Sequence, residues 1–129
     1  ADGGVDLTST SAPLALWSGA GTGQGRAVLL RAHPLLEDGR ITSAVFGRRL
    51  YHASAEGRIW MPAVRGILRL APAIFVDAAR ATRRRETGDA WHVDAGVGLR
   101  IGAGGSVLRV DVAKGLRDGA AAVSVGWSR

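Results

Sequence analysis

Residues 92–127 read HVDAGVGLRIGAGGSVLRVDVAKGLRDGAAAVSVGW, and this stretch decides the fold. Every second residue is apolar from Val93 to Ile101 and again from Leu108 to Val112. Such alternation is typical of β-strands that have one apolar face and one polar face. The polar face carries charges of both signs in mid-strand, among them Asp94 and Arg100. The sequence therefore predicts a sheet with an aliphatic face and a charged face.

The same alternation extends upstream and divides the chain into two regions. The C-terminal region, residues 46–129, contains five predicted strands over residues 50–61, 66–80, 90–101, 108–112 and 121–127. Short and longer connections roughly alternate between them, so we expect an antiparallel up-and-down order. Pro72 predicts a bulge or an interrupted pairing, since it has no N–H to donate. Residues 1–45 are expected to be irregular, with one or two short strands near Pro13–Trp17 and Ala27–Arg31.

The composition narrows the class of protein. The chain has 129 residues, of which 47% are hydrophobic and only 5% aromatic, and it has no cysteine. A soluble β-sandwich usually builds its core around several aromatic side chains, and a chain without cysteine has neither disulfides nor cysteine-ligated metals. The net charge of +6 raises nucleic acid as a partner. We expect the basic stretch Thr82–Asp89 to be a solvated loop, and we do not expect nucleic acid as a partner.

Catalytic and metal-binding motifs are weak. The stretch GAGTGQG at Gly19–Gly25 has Gln24 where a phosphate-binding fingerprint requires glycine, which favours a plain loop. The histidines His33, His52 and His92 are too scattered along the chain for a recognisable metal-ligand spacing. The expectation is a protein without catalytic residues, cofactor or metal.

Two settings suit strands with these two faces. In water the aliphatic face packs on a core, whereas in a membrane it meets lipid and the charged face lines a wet lumen. The small aliphatic side chains, with Tyr51, Trp91 and Trp127 near strand ends, favour the membrane setting. Two alternatives stay open: a soluble, basic β-sheet module that binds an anionic ligand, and a passive outer-membrane pore or scaffold subunit.

Three segments resemble the C-terminal end of the bacterial surface antigen superfamily, which includes BamA-like and TamA-like assembly factors and two-partner-secretion transporters. They are FVDAAR at Phe75–Arg80, VDAGVGLRIGAGGSVLRVDVAKGLRDG at Val93–Gly119 and VSVGW at Val123–Trp127. The family's Phe-x-Asp-x-Gly motif appears as Phe75–Ala79, with alanine in place of the last glycine. The resemblance covers residues 46–127 well and residues 19–45 weakly.

The resemblance implies an all-β fold: a transmembrane β-barrel segment made of the last five strands and a lumenal loop. It places Arg31 where the family has an Arg-Gly-Phe/Tyr loop tip, although Ala32 and His33 replace the other two residues. Arg31 is expected to pair with Asp77 and Glu56 on the inner wall and so lock the loop in the lumen. Six further charges are expected to face the lumen: Arg58, Arg69, Asp94, Arg100, Arg109 and Asp111.

The resemblance also implies location and partners. The protein is expected in the bacterial outer membrane, in contact with outer-membrane lipid, where its parent assembles, inserts or exports client polypeptides without catalysis. Five strands cannot close a transmembrane barrel, which needs about eight or more. We therefore expect the remaining strands to come from the same parent protein or from another chain.

Overall fold

The chain is all-β in a computed structural model, which describes residues 1–9, 18–20, 29–33, 36–37, 40–41, 45–64, 67–82 and 90–128. The long strands are β1 (Asp2–Leu7), β6 (Arg49–Arg58), β7 (Arg69–Thr82), β8 (His92–Ala103), β9 (Ser106–Gly115) and β10 (Ala121–Ser128). Four short strands pair in twos: β2 (Ser18–Gly19) with β5 (Phe46–Gly47), and β3 (Leu36–Glu37) with β4 (Arg40–Ile41). Within these ranges there is no helix that is long and apolar enough to cross a membrane.

The long strands form one antiparallel sheet in the order β1-β6-β7-β8-β9-β10. From β6 to β10 each strand pairs with the next in sequence, as the pattern of connections predicts. The tightest of these connections is the turn at Gly104 and Gly105, both of which have the positive φ angles that glycine adopts readily. Among the described residues, β1 and β10 each have one strand neighbour, so the sheet is open.

The five predicted strands of residues 46–129 overlap β6 to β10, and the observed sheet has one strand more. The sixth strand, β1, comes from the N-terminal region and pairs with β6 from Asp2–Ser54 to Leu7–Arg49. The predicted strand at Ala27–Arg31 is wrong where it is described, because residues 29–31 take an irregular course. The predicted strand at Pro13–Trp17 lies outside the described residues, as do most of the Gly19–Gly25 stretch and of the Thr82–Asp89 loop.

Pro72 has no N–H, and this affects its pairing with one neighbouring strand but not with the other. Against β8 the register runs unbroken through the Pro72–Leu99 pair, so the predicted bulge is absent there. Against β6 the regular ladder ends at the pair between Arg58 and Ala73 and does not include Pro72. The N–H and C=O of a strand residue point to the same neighbour, and the Pro72 carbonyl accepts a hydrogen bond from Ile59 N at 3.3 Å. The interruption therefore falls on the β6 side.

The two faces of the sheet are buried in the opposite sense to an ordinary soluble sheet. Strand β7 alternates strictly: Ile74 and Val76 are exposed, whereas Phe75 and Asp77 are buried. Across the middle of the sheet the aliphatic side chains in register are all exposed by more than half: Ile74, Val97, Val112 and Val123. The charged face is therefore the covered one.

The cover over the charged face includes residues 29–33, which we call the covering segment. Leu30 and Ala32 have no exposed surface. Their side chains join two small cores on the charged face of the sheet, one of which also contains Phe75 and Ala113. The other core consists of Ala20, Leu30, Val45, Leu50, Ala79 and Ala81. Between these apolar contacts, the covering segment presents Arg31 to the charges of the sheet.

Candidate functional site

Arg31 is the centre of the charged face. Its Nε atom lies 3.1 Å from Asp77 Oδ2, and its Nη1 atom lies 3.1 Å from Glu56 Oε2 and 3.3 Å from Asp111 Oδ2. The guanidinium carbon stacks 3.7 Å from the centroid of the Phe75 ring, an arrangement that favours a cation. Only 5% of the Arg31 side chain is exposed. The contacts expected with Asp77 and Glu56 are therefore both present, and Asp111 is an additional partner.

Arg100 forms a second guanidinium centre beside Arg31. Its Nε and Nη2 atoms donate to the two carboxylate oxygens of Glu56, at 3.0 and 2.5 Å, which is the bidentate geometry that makes such pairs strong. Its Nη1 atom donates to Asp111 Oδ1 at 2.5 Å. Arg100 is 1% exposed and is among the largest fully buried side chains of the described residues. Glu56 and Asp111 thus each bridge Arg31 to Arg100.

Asp111 contacts three guanidiniums. Besides Arg31 and Arg100, Arg109 approaches it, with Nε 3.2 Å from Oδ2. We call these three arginines, together with Glu56, Asp77 and Asp111, the charge network. Ser54 Oγ adds a hydrogen bond of 2.7 Å to Asp77 Oδ1.

Asp94 contacts the two residues of the covering segment that follow Arg31. Its buried carboxylate accepts a hydrogen bond of 2.6 Å from the Ala32 backbone N–H. Its second oxygen, Oδ1, lies 2.8 Å from His33 Nδ1. The contact with Asp94 is the main reason why the pKa of His33 is raised from 6.5 to about 9, so His33 is a cation at neutral pH. Asp94 therefore opposes the charge of His33, and it holds the backbone of the covering segment.

The charges of the charge network, Asp94 and His33 are balanced. Three guanidiniums and protonated His33 give four positive charges, and Glu56, Asp77, Asp94 and Asp111 give four negative charges. Charges taken out of bulk water persist only when they are paired in this way. Because the guanidiniums and carboxylates engage one another, the arrangement is suited to holding the covering segment on the sheet.

The remaining two predicted lumenal charges lie on the same face but at its exposed end. Arg58 contacts Glu56 at 3.9 Å, and half of its side chain is exposed. Arg69 is also exposed and is not part of the charge network. The guanidinium carbons of Arg58 and Arg69 lie 5.9 and 5.2 Å from the centroid of the Trp60 ring. All six predicted lumen-facing charges thus share one face, of which Asp94, Arg100 and Asp111 are buried.

A cluster at the rim of the sheet was not expected from the sequence. His33, His92 and Asp118, which we call the rim cluster, offer ligand atoms that all lie within 4.8 Å of one another. Two of the histidines that lie far apart in the sequence, His33 and His92, meet in the fold, with ring centroids 5.0 Å apart. The covering segment brings His33 to the start of β8, which is a tertiary contact that sequence spacing does not show.

Gly98 leaves the room that the charge network needs. A Cβ atom at this position would overlap Asp111 Oδ1 and would lie 2.7 Å from Arg100 Nη1. We expect Gly98→Ala to lower the free energy of unfolding by about 1–3 kcal/mol, the usual cost of overpacking. Urea unfolding followed by tryptophan fluorescence measures this change.

Gly57→Ala is the matched control for Gly98→Ala. Gly57 also lies inside a strand, but a Cβ atom there would meet only Ile74 Cγ1, at an ordinary 3.8 Å. The control is expected to leave the free energy of unfolding unchanged or slightly raised, because alanine restricts the unfolded chain more than glycine does. Equal destabilisation by both substitutions would show that glycine is needed by the strands generally and not by the charge network.

Comparisons of the chain with models of protein families, with curated proteins and with solved structures found no match.

Proposed function

We propose that this chain forms part of the wall of an outer-membrane β-barrel that assembles, inserts or exports polypeptides. The observation that carries the proposal is the inverted burial of the sheet: aliphatic side chains lie outward and exposed, whereas ion pairs lie inward and covered. Lipid is the solvent that suits the aliphatic face, and a polar lumen suits the charged face. Monomeric soluble proteins rarely expose a continuous apolar surface of this kind.

The dimensions of the exposed face support lipid as its surroundings. Trp91 precedes β8, and the register places Trp127 level with Leu108 and Ile101. Residues 91–101 extend about 33 Å along the strand. At the strand tilt of about 40° found in membrane barrels, this becomes about 25 Å, the height of their apolar band. Both tryptophans are about half or more exposed, as interfacial aromatic side chains are.

The covering segment is the part of the proposed barrel that would act as a lumenal lock. Arg31 reaches carboxylates on β6, β7 and β9, so one side chain ties the segment to three strands. A segment held by buried ion pairs is released only when water or a client chain supplies new partners for those charges, because a buried charge without a partner is costly. This is the lumenal lock that the family resemblance implies.

The sheet edges complete the proposal. Strands β1 and β10 are the two edges of the described sheet. In hydrocarbon their free backbone groups need partners, because each unsatisfied group costs several kcal/mol. Further barrel strands, or transiently a client strand, would supply these partners by β-augmentation.

An arginine scan by depth tests the lipid-facing assignment. Val97 is 59% exposed and lies at the middle of the exposed face. Val97→Arg is expected to destabilise the protein folded in lipid vesicles by about 2–4 kcal/mol, because the charge enters the centre of the bilayer. Ala121→Arg, at the rim of the same face, is expected to cost about 0–1 kcal/mol.

The contrary outcome is equally distinct. If Val97→Arg has no effect on unfolding and the unaltered chain stays in solution without detergent, the exposed face meets water and the membrane proposal fails. Outer-membrane fractionation and a shifted gel mobility of unboiled protein are the accompanying expectations. A membrane protein that conducts ions but has no effect on client polypeptides would be a passive pore.

A further inference from the structure

The rim cluster stands apart from the charge network and has a different chemistry. His33 comes from the covering segment, His92 opens β8, and Asp118 lies in the turn between β9 and β10. These three side chains come from distant parts of the sequence, and each presents one ligand atom toward the others. Two imidazoles and one carboxylate form a donor set that divalent transition cations, Zn²⁺ in particular, bind well.

The distances are close to those that a cation requires. Two ligand atoms that each lie about 2.0–2.1 Å from a tetrahedral ion are about 3.3 Å apart. Asp118 Oδ2 lies 2.8 Å from His33 Nε2 and 3.5 Å from His92 Nδ1. These two distances bracket the tetrahedral value. All ligand atoms lie within 4.8 Å of one another, so a modest movement of the exposed Asp118 side chain brings them around one ion.

Asp94 orients His33 for such a role. His33 Nδ1 keeps its proton against Asp94 Oδ1, and Nε2 is directed at Asp118 Oδ2. Zn²⁺ binding at Nε2 therefore releases to solvent the proton that cationic His33 carries there. A carboxylate behind a metal-binding imidazole is a recurring feature of protein zinc sites. Asp94 is itself completely buried, and the Ala32 N–H holds its other oxygen, so its position is fixed.

The turn orients Asp118 as well. Its Oδ1 accepts the Ala120 N–H at 3.1 Å, which leaves Oδ2 directed at the two imidazoles. Gly119 has a φ angle of +74° and closes the turn with a hydrogen bond to the Gly115 carbonyl. A Cβ atom at Gly115 would overlap Asp118 Oδ1 and would lie 3.0 Å from His33 Cε1. The backbone thus allows a close approach between the turn and the covering segment.

We propose that His33, His92 and Asp118 bind one Zn²⁺ ion, with water as the fourth ligand. The ion would clip the covering segment to the rim of the sheet, at a point separate from the Arg31 contacts. Partial exposure of the ligands, 18% for His92 and 40% for Asp118, gives the ion and its water access from solvent. The proposal does not depend on the assignment of the aliphatic face to lipid, since it concerns only these side chains.

Calorimetric titration of the purified full chain with ZnCl₂, after dialysis against EDTA, tests the site. We expect one Zn²⁺ per chain, no displacement by millimolar Mg²⁺, and tetrahedral absorption bands when Co²⁺ replaces Zn²⁺. Loss of an orienting partner of a zinc ligand weakens affinity about 10–100-fold. His92→Ala and Asp118→Asn remove ligands and are expected to weaken it at least as much.

His52→Ala is the matched control, because His52 is the remaining histidine of the chain and does not belong to the rim cluster. Its Zn²⁺ affinity is expected to equal that of the unaltered protein. Circular dichroism establishes that each variant keeps its sheet content. The proposal is overturned if the folded, unaltered chain binds no Zn²⁺, or if folded His92→Ala and Asp118→Asn bind it with unchanged affinity.

Discussion

Arg31→Ala is expected to lower the free energy of unfolding by about 3–5 kcal/mol, the range found when one partner of a buried ion pair is removed. The substitution leaves Asp77 and Asp111 buried without one of their guanidiniums, and it also removes the stacking on Phe75. Both carboxylates are 1% exposed or less, so water cannot replace the lost contacts without moving the covering segment. Urea unfolding in detergent micelles, followed by tryptophan fluorescence, measures the loss.

Two variants separate charge from geometry. Arg31→Lys keeps the positive charge, but one ammonium cannot match the spread of Nε and Nη1 contacts, so an intermediate loss is expected. Arg58→Ala removes an arginine whose side chain is 51% exposed and whose contact with Glu56 is 3.9 Å. Because exposed ion pairs contribute about 0–1 kcal/mol, Arg58→Ala is expected to be nearly silent.

The proposed function predicts a further effect of Arg31→Ala, on client polypeptides. If the covering segment is a lumenal lock, cells that depend on this protein should contain less client protein in the outer membrane or outside the cell, while the variant itself stays detectable in the membrane. Immunoblots of membrane fractions give both quantities. Client levels equal to those of the unaltered protein would exclude the lock, whatever the change in stability.

The strands of residues 46–129 were predictable because their apolar side chains recur at every second residue. Alternate residues of a strand lie on the same face of the sheet, so this pattern also predicts the aliphatic face. Strand β1 was not predictable, because its apolar residues are only Val5 and Leu7 and it contains a pair of glycines. What makes Asp2–Leu7 a strand is its backbone pairing with β6, which is a long-range contact that local pattern does not encode.

The charge network was predictable only in part. The pairing of Arg31 with Asp77 and Glu56 followed from the family resemblance and not from spacing. The alternation of the sequence places Asp111 on the charged face, but its contact with Arg31 joins residues 80 positions apart. The same limit explains the rim cluster: His33 and His92 meet because the covering segment crosses the sheet, and no local signal marks that crossing.

Arg100→Met is the second substitution with a large expected effect, again about 3–5 kcal/mol of lost stability. Methionine keeps much of the length and volume of the side chain, so the loss reports on charge and hydrogen bonding more than on a cavity. Glu56 would lose its bidentate partner, and Asp111 would lose its Arg100 donor. Unfolding in urea at constant detergent concentration measures the change.

Arg109→Met is the matched control, because Arg100 and Arg109 face each other across β8 and β9. They differ in burial: 2% of the Arg100 side chain is exposed, against 29% for Arg109. Among the described residues, Arg109 forms one ion pair, at 3.2 Å to Asp111, so a loss well below that of Arg100→Met is expected. Equal losses would mean that the charged face is wet throughout and that burial does not set the strength of its ion pairs.

A double substitution decides whether the Arg100 effect comes from its carboxylate partner. In the Arg100→Met background, Glu56→Gln is expected to cost less than in the unaltered protein, because Glu56 has already lost its bidentate guanidinium. The difference between the two costs is the coupling energy of the pair. Coupling energies of residues in one network are typically about 0.5–3 kcal/mol. A coupling near zero would place the stabilising role of Arg100 in packing, since 1% exposure makes it part of the core as well as of the charge network.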